Sequence, residues 1–324
     1  MYSKGISLAG NLIADIGYTI DAYPDKGNLA HISNPINHTG GMCNILIDLA
    51  RLDDIIPLMV SGRIGDDENG EFILNSLKKY GNINGENIHK NGRTAITYVM
   101  NESGDKERTF FYDPGNSTQF CIDDIDFEKI KSDIFILEYL LTLGTLDEPD
   151  DVFGTKAGEV LARAKECGMK TVIDMVSEDS SRYETVVRPT LKYVDYYISN
   201  EVEASGVVGE KLFDEHGVDE NKIENALHTI KNYGVNDWII IHSPKCGYGL
   251  DCRSNKYYRV PSMKLPKGYI KGKTGAGDAF CAGIVYAAYR GMNIGKALKL
   301  GAKCAAQSLS EEDSNSGIRN YADE

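Results

Sequence analysis

The sequence predicts an α/β protein with a doubly wound, mostly parallel sheet and a small β lid. Four short apolar runs have the length and composition of buried strands: 134–137, 171–174, 195–199 and 238–242. Three stretches with the apolar spacing of helices alternate with them: 153–167, 180–192 and 222–233. Because strands that alternate with helices pair in parallel through right-handed crossovers, this part of the chain predicts the doubly wound sheet.

The N-terminal part of the chain predicts further elements of the same sheet. Residues 6–10 form an apolar run that ends in glycine and is typical of a buried strand, and 55–60 predicts another strand. Apolar residues at helical spacing predict helices over 42–52 and 68–80. In a doubly wound sheet, ligands bind where the parallel strands end, so the loops that follow strands are the places to search for function.

Two segments do not follow the α/β alternation and predict the lid. In 16–37, two weakly amphipathic stretches are separated by proline, aspartate and glycine, which indicates a hairpin. In 93–113, two runs rich in β-branched and aromatic residues flank a turn with glycine and aspartate. We expect one domain over 1–324 with these two excursions covering the ligand edge. Pairing with another subunit, as a homodimer, is the alternative role, and both can hold.

The composition is that of a globular protein and excludes several classes of function. The 324 residues are 42% hydrophobic and 26% charged, and 35 basic against 48 acidic side chains give a net charge of −13. Such an acidic chain lacks the positive surface that nucleic-acid binding requires. No apolar stretch approaches the ~20 residues that span a bilayer, and the first residues do not resemble a signal peptide, so we expect no membrane association.

The cysteines indicate a reducing compartment. All seven are scattered along the chain, and none forms a Cys-x-x-Cys pair. A disulfide framework or a zinc site is therefore not expected. We expect a cytoplasmic protein with free thiols.

The strongest chemical signal is the segment Gly272–Phe280, which reads Gly-Lys-Thr-Gly-Ala-Gly-Asp-Ala-Phe. Gly275, Ala276 and Gly277 stand directly before a predicted helix, where uncovered backbone amides and the helix dipole create an anion site. Asp278 follows in the first turn. A carboxylate there repels an anion, which makes sense if it accepts a proton from an attacking hydroxyl. A residue that only favours the helix dipole is the alternative.

Two better-known phosphate motifs do not fit this segment. The stretch from Gly268 to Thr274 resembles a Walker A loop, but only three residues separate its glycines, whereas four are needed to wrap the β-phosphate. The pair Gly275 and Gly277 begins a dinucleotide fingerprint, but Phe280 stands where the third glycine belongs. A dehydrogenase is therefore disfavoured.

Four segments resemble, in order, the motifs of the ribokinase-like (PfkB-type) carbohydrate kinases. They are Gly40-Gly41-Met42-Cys43-Asn44 with the helix that follows, Gly65-Asp66-Asp67 with Gly70, Asn200-Glu201-Val202-Glu203-Ala204, and the string from Thr274 to Phe280. The resemblance covers nearly the whole chain, from Gly10 to about Ser308. It implies a Rossmann-like, ribokinase-like fold that transfers a phosphoryl group from magnesium-ATP to a hydroxyl of a sugar or sugar derivative.

The resemblance also implies residue roles. Asp278 would be the catalytic base, and the amides of Gly275, Ala276 and Gly277 would hold charge on the transferring phosphoryl group. ATP would contact Asn200, Glu203, Gly247, Thr274, Gly275 and Gly277, with Glu203 reaching Mg²⁺ through water. Substrate hydroxyls would contact Asn11, Asp15, Gly40, Gly41, Asn44 and Asp278. A strand-end turn residue is the alternative for Asp15, and a helix cap is the alternative for Asn44.

The sequence departs from the family pattern at three places. Only Met42 and Cys43 precede Asn44 after the glycine pair, where the family usually has three residues. Gly272 stands where the family often has an aspartate associated with a monovalent cation. The segment from His242 to Gly247 also differs from the family, so we expect a different adenine pocket, and we expect His242 to be a packing or capping residue.

Two rival functions remain open. A nucleoside kinase of the same fold would need an aromatic or apolar platform for a base, for which the candidates are Tyr18, Tyr98, Phe110 and Tyr112. A non-catalytic sugar or nucleotide sensor is the rival from another class. The intact Asp278 argues against a sensor, which has no need of a base.

Overall fold

A computed structural model describes residues 4–33, 35–102 and 108–323. Twelve strands of these ranges form one continuous sheet. In chain order they are β1 (Ile6–Ile20), β2 (Ile36–Gly41), β3 (Leu58–Ile64), β4 (Ile83–Lys90), β5 (Ala95–Glu102), β6 (Arg108–Asp113), β7 (Ile134–Leu140), β8 (Lys170–Met175), β9 (Tyr196–Asn200), β10 (Trp238–His242), β11 (Cys246–Asp251) and β12 (Lys256–Pro261).

Nine of these strands form the main sheet, in the order β12-β11-β10-β9-β8-β7-β1-β3-β4. The pairs from β10 to β4 are parallel, whereas β11 and β12 add an antiparallel edge. The predicted mostly parallel sheet is therefore confirmed. All four strands predicted from residue 134 onward are present, as β7, β8, β9 and β10.

Seven helices of eight residues or more flank the sheet in the described ranges. They are α1 (Cys43–Leu52), α2 (Glu68–Leu77), α3 (Lys156–Glu166), α4 (Glu201–Val208), α5 (Glu220–Asn232), α6 (Ala276–Tyr289) and α7 (Ile294–Ser308). None of these helices is long and apolar enough to cross a membrane. Side chains from alternate positions of the central strands pack on opposite layers: Ile136 and Val172 join α1, α2, α6 and α7, while Leu137 and Ile173 join α3, α4 and α5. This is the doubly wound arrangement.

One predicted helix is wrong. Residues 180–192 do not form a continuous α-helix but three short turns, a π-helical turn at Tyr183–Val187, an α-turn at Arg188–Thr190 and a 3₁₀ turn at Leu191–Tyr193. Pro189 lies in the middle of this stretch, and a proline has no amide hydrogen with which to continue an α-helical ladder.

The segments predicted to form the lid, called the lid below, are a second part of the same sheet. The first strand does not stop at Gly10; β1 pairs with β3 as far as Asn11 and then pairs with β2 from Leu12 and with β5 from Ile13. The first lid segment therefore extends over about 12–41, compared with the predicted 16–37, because β1 belongs to both parts of the sheet. The second segment forms the expected hairpin of β5 and β6. The predicted strand at 55–60 is shifted to β3.

Candidate active site

A cavity of ≈860 Å³ lies between the lid and the edge at which the parallel strands end. Four of its lining residues lie near the ends of four neighbouring strands: Tyr139, Asp174, Asn200 and His242. One face of the lid forms the opposite wall, and its lining residues are Asp15, Thr97, Arg108, Phe110 and Tyr112. Ligands of doubly wound sheets bind at this edge.

The first turn of α6 has the features of an anion site and borders the cavity. Gly275 precedes the helix with a φ of 79°, and any side chain there would collide with Ser314. No side chain of the described residues caps this helix, which leaves the amides of Ala276 and Gly277 available to a ligand. Thr274, Gly275 and Gly277 line the cavity directly. The helix dipole adds to the attraction for an anion.

Asp278 lies beside this anion site, and its carboxylate is held by two donors. The amide nitrogen Nδ2 of Asn44 donates to Oδ2 at 2.8 Å, and the hydroxyl of Tyr139 donates to Oδ1 at 3.2 Å. Burial raises the pKa of Asp278, and the hydrogen bonds from Asn44 and Tyr139 partly oppose this rise. A carboxylate that is both oriented and made more basic is suited to accept a proton from a hydroxyl.

Asp15 faces the same cavity from the point at which β1 enters the lid. Its carboxylate lies against the Cα of Gly40, so a side chain at that position would displace it. Burial raises the pKa of Asp15 to about 7; the Thr97 side chain lowers it in part, and the charge of Asp278 raises it further. The carboxylates of Asp15 and Asp278 line the same cavity, and Gly41 is also part of its wall. The two carboxylates offer hydrogen-bond acceptors to a ligand rich in hydroxyl groups.

Asn11 lies just behind the cavity wall. It is 1% exposed, and its Nδ2 donates to Thr142 Oγ1 at 2.9 Å and to Tyr112 Oη at 3.3 Å. Both partners line the cavity, whereas Asn11 does not. The structure therefore places Asn11 where it positions wall residues rather than where it would touch a ligand.

Asn200 and Glu203 form a reciprocal cap at the start of α4. The Asn200 side chain accepts from the backbone amides of Val202 and Glu203, while Glu203 accepts from the Asn200 backbone at 2.9 Å and from its Nδ2 at 2.7 Å. Ser177 also donates to Glu203 at 2.8 Å. Burial raises the pKa of Glu203 to about 7, and the three donors oppose the rise. Both residues line the cavity at the end opposite the lid.

Two residues near the predicted nucleotide region are packed. Gly247 lies on β11, where a side chain would touch Phe280 and Leu298, and it is not among the residues that line the main cavity. His242 lines the cavity but stacks on Phe280 with ring centroids 4.7 Å apart. Burial lowers the pKa of His242 to about 4, so this imidazole is neutral near pH 7. These contacts agree with a packing role for His242.

A second cavity of ≈300 Å³ adjoins the first beneath the lid. Asp15, Arg108, Lys273 and Thr274 border both cavities and therefore surround their junction. Gly272 also lines the second cavity, and a side chain there would lie 2.8 Å from the carbonyl oxygens of residues 311 and 312. The aspartate that the family often has at this position would therefore fit here only if these two carbonyl groups moved.

Several residues of the cavity are absent from the sequence-based predictions, among them Tyr139, Asp174 and Arg108. Tyr139 and Asp174 lie near the ends of strands that were correctly predicted, so the rule that ligands bind at strand ends, applied to every strand, points to them. Burial and the nearby charges of Glu203 and Asp278 raise the pKa of Asp174 well above its usual value. Arg108 carried no local signal, because only the lid pairing turns it inward.

The aromatic residues considered as a platform for a base divide between the two faces of the lid. Phe110 and Tyr112 line the cavity. Tyr18 and Tyr98 pair next to residues of that wall along β1 and β5, and the alternation of strand side chains places them on the other face. Two of the four aromatic residues predicted as a platform, Phe110 and Tyr112, are therefore available to a ligand.

Comparison with known proteins gives a family match over almost the whole chain. The pfkB family carbohydrate kinase model matches residues 11–320. A 5-dehydro-2-deoxygluconokinase from Clostridium perfringens is 27% identical over 280 residues, which cover 82% of this chain and 76% of that protein.

Solved structures of similar fold also cover the chain. A ribokinase from Arabidopsis thaliana, complexed with ribose and ATP, superposes with a TM-score of 0.79 at 19% identity and covers 99% of this chain and 97% of that one. A ribokinase from Thermotoga maritima gives a TM-score of 0.77 at 19% identity, with 98% and 97% covered. The described architecture is that of these structures.

Proposed function

The chain belongs to the pfkB family of carbohydrate kinases and is an ATP-dependent sugar kinase, and we propose that it uses Asp278 as the general base for the acceptor hydroxyl. The observation that carries this proposal is the placement of Asp278 directly beside the uncapped start of α6. A proton acceptor and an anion site thus share one wall of the cavity. Phosphoryl transfer to an alcohol needs both in contact with the same reacting groups.

The acceptor sugar occupies the lid side of the cavity in this proposal. Asp15 accepts hydrogen bonds from hydroxyl groups, and Asn44 bonds both the base and the sugar, since its Oδ1 has no partner among the described residues. Gly40 and Gly41 allow the backbone to approach. The hydroxyl that reacts lies against Asp278, which takes its proton as the new oxygen–phosphorus bond forms.

The γ-phosphoryl group of ATP lies at the start of α6. The amides of Gly275, Ala276 and Gly277 stabilise the charge that develops on its oxygens during transfer. Thr274 and Lys273 line the same part of the cavity and add a hydroxyl donor and a positive charge. The rest of the nucleotide extends toward Asn200 and β10. Gly247 is proposed to shape this region through its packing on Phe280.

We propose Mg²⁺ as the second cofactor, held through water by Glu203. The described residues contain no cluster of three or more side chains with the geometry of a direct metal site. Glu203 is already engaged by Asn200 and Ser177, which suits it to bond the hydration shell of an ion rather than the ion itself. When bound, Mg²⁺ neutralises phosphate charge.

Two further properties are proposed. We place the protein in the cytoplasm, where ATP is available and where its seven free thiols are stable. We also propose a homodimer formed through the lid, because the lid exposes large apolar side chains that do not line the two cavities: Leu29, Ile32 and Phe111.

The test is turnover of ATP by the wild type and by Asp278→Asn with a panel of sugars, sugar acids and nucleosides. ADP release that depends on a sugar and is lost in the variant supports the proposal. A nucleoside as the best acceptor would instead favour the aromatic wall of Phe110 and Tyr112 as a base platform. ATP binding without turnover of any acceptor would identify a sensor.

A further inference from the structure

Arg108 is a partly buried guanidinium for which the described residues supply no anionic partner. It lies at the start of β6 and borders both cavities, but it forms no ion pair or side-chain hydrogen bond among the described residues. Burial lowers the pKa of Arg108, and no charge within the described ranges opposes this. An arginine has five donors, and removing them from water is unfavourable unless an anion replaces the water.

The direction of Arg108 is fixed by strand pairing. In the lid, Arg108 lies opposite Asn101, Phe110 opposite Val99, and Tyr112 opposite Thr97. All six residues line one of the two cavities, so this face of the hairpin is turned toward the ligand. The guanidinium belongs to the wall that covers the acceptor.

Most of the other charged residues that line the main cavity are acidic, in contrast to Arg108. Five lining residues are acidic: Asp15, Asp174, Glu178, Glu203 and Asp278. Besides the neutral His242, only Arg108 and Lys273 among the lining residues are basic. An anionic ligand is repelled from most of this surface and finds positive charge only at the junction where these two side chains lie. Lys273 adjoins the proposed phosphate site, which leaves Arg108 on the acceptor side.

We propose that the acceptor carries an anionic group, a carboxylate or a phosphate, which pairs with Arg108. This inference rests on the proposed function and specifies its substrate class. The planar guanidinium matches such a group with two parallel hydrogen bonds. The opposite end of the acceptor then presents its hydroxyl to Asp278, and the anion lies at the junction of the two cavities.

The experiment compares acceptors that carry an anionic group with related acceptors that do not. D-Gluconate and D-ribonate are compared with the neutral alditols D-glucitol and ribitol, and D-glucose 6-phosphate with D-glucose. Turnover is followed by ADP release, and binding of D-gluconate without ATP is followed by calorimetry. The variants are Arg108→Gln, Arg108→Lys and, as a matched control, Arg93→Gln, which removes an exposed lid arginine that pairs with Asp113 outside the cavities.

The wild type is expected to prefer one anionic class, and the carboxylate and phosphate arms identify which. Arg108→Gln should lower kcat/KM for that class on the order of 10²-fold while changing neutral acceptors by less than about threefold. Arg108→Lys should retain part of the preference, and Arg93→Gln should retain all of it.

Two results would overturn the inference while leaving the kinase function intact. One is a wild type that phosphorylates neutral sugars in preference to every anionic partner. The other is an equal loss with all acceptors in Arg108→Gln, which would place Arg108 on the phosphoryl group of ATP. If no acceptor were turned over, the proposed function would fail, and calorimetry would decide the inference separately: D-gluconate must bind the wild type more tightly than Arg108→Gln.

Discussion

Asp278 depends on its neighbours for both its orientation and its basicity. Asn44 and Tyr139 each donate one hydrogen bond to its carboxylate. These bonds favour the charged form and lower the pKa, whereas burial raises it. With Asp278 as the proposed base, we expect the rate at a given pH to depend on residues that do not themselves accept a proton.

Tyr139→Phe is expected to lower kcat/KM at pH 7 by about tenfold, because one hydrogen bond to a charged group is lost. The same loss raises the pKa of Asp278, so the acid limb of the pH–rate profile should move to higher pH. The control is Tyr233→Phe, at the distant end of α5. A Tyr139→Phe profile that is lowered without any shift would contradict the role of this hydroxyl in tuning the base.

Asp15→Asn is expected to stabilise the ligand-free protein at alkaline pH. The pKa of Asp15 rises from 3.8 to about 7 on folding, so the folded state holds a proton that the unfolded state has lost. Stability from this group is therefore present at low pH and is lost as the pH rises between these values, by up to about 4 kcal/mol.

Urea unfolding at pH 5 and pH 8 measures this effect. The Asp15→Asn variant should gain stability relative to the wild type at pH 8 and much less at pH 5. Asp25→Asn, which removes an exposed carboxylate of the lid loop, should change neither value appreciably. An equal change at both pH values for Asp15→Asn would show that the carboxyl is not protonated in the folded state.

Single residues were predictable where a local pattern carries the chemistry. The glycines and Asp278 of the α6 start stand next to each other in the chain, so their spacing alone indicates an anion site beside a carboxylate. Tyr139 reaches the cavity through the pairing of β7 with β1, and Arg108 through the pairing of the β5–β6 hairpin with β1. In both cases the hairpin or strand lies far from β1 in the chain. No local pattern encodes such contacts.

At the scale of elements, we propose that the lid is the part of the fold whose motion bears on catalysis. Its hairpin and the second half of β1 cover the acceptor side of the cavity. Closure over the acceptor excludes water, which otherwise competes for the phosphoryl group.

Hydrogen exchange should show the amides of β2, β5 and β6 gaining protection when the acceptor binds. The central strands β8 and β9 serve as the internal reference and should not change. Protection that is the same with and without acceptor would indicate a fixed lid, as expected if it serves only to join two subunits.

The boundaries of elements were harder to predict than their existence. The continuous helix predicted at 180–192 does not form, although its apolar residues have helical spacing. Pro189 has no amide hydrogen and therefore interrupts the helical hydrogen bonds. The first strand was predicted to end at Gly10, although it continues into the lid with new partners. Sequence shows the apolar run, but it does not show which strands will be neighbours.

For the whole molecule, the alternation of strands and helices was enough to predict the doubly wound sheet and the edge on which the site lies. The order of the strands was not predictable, because it depends on which crossovers pack best in three dimensions. This order brings Asp15 from the lid and Asp278 from α6 to one cavity, although they lie far apart in the chain. The position of both carboxylates on one cavity is the basis for the catalytic roles that we propose.

The most direct test compares wild type and Asp278→Asn for turnover of the best acceptor, with ATP affinity measured by calorimetry. Loss of a general base typically lowers the rate by ~10²–10⁴-fold, and ATP affinity should be retained or increased because a charge that repels phosphate is removed. Phosphorylated product and ADP should form in equal amounts with the wild type. Retention of more than about a tenth of the wild-type rate by Asp278→Asn would show that the base lies elsewhere.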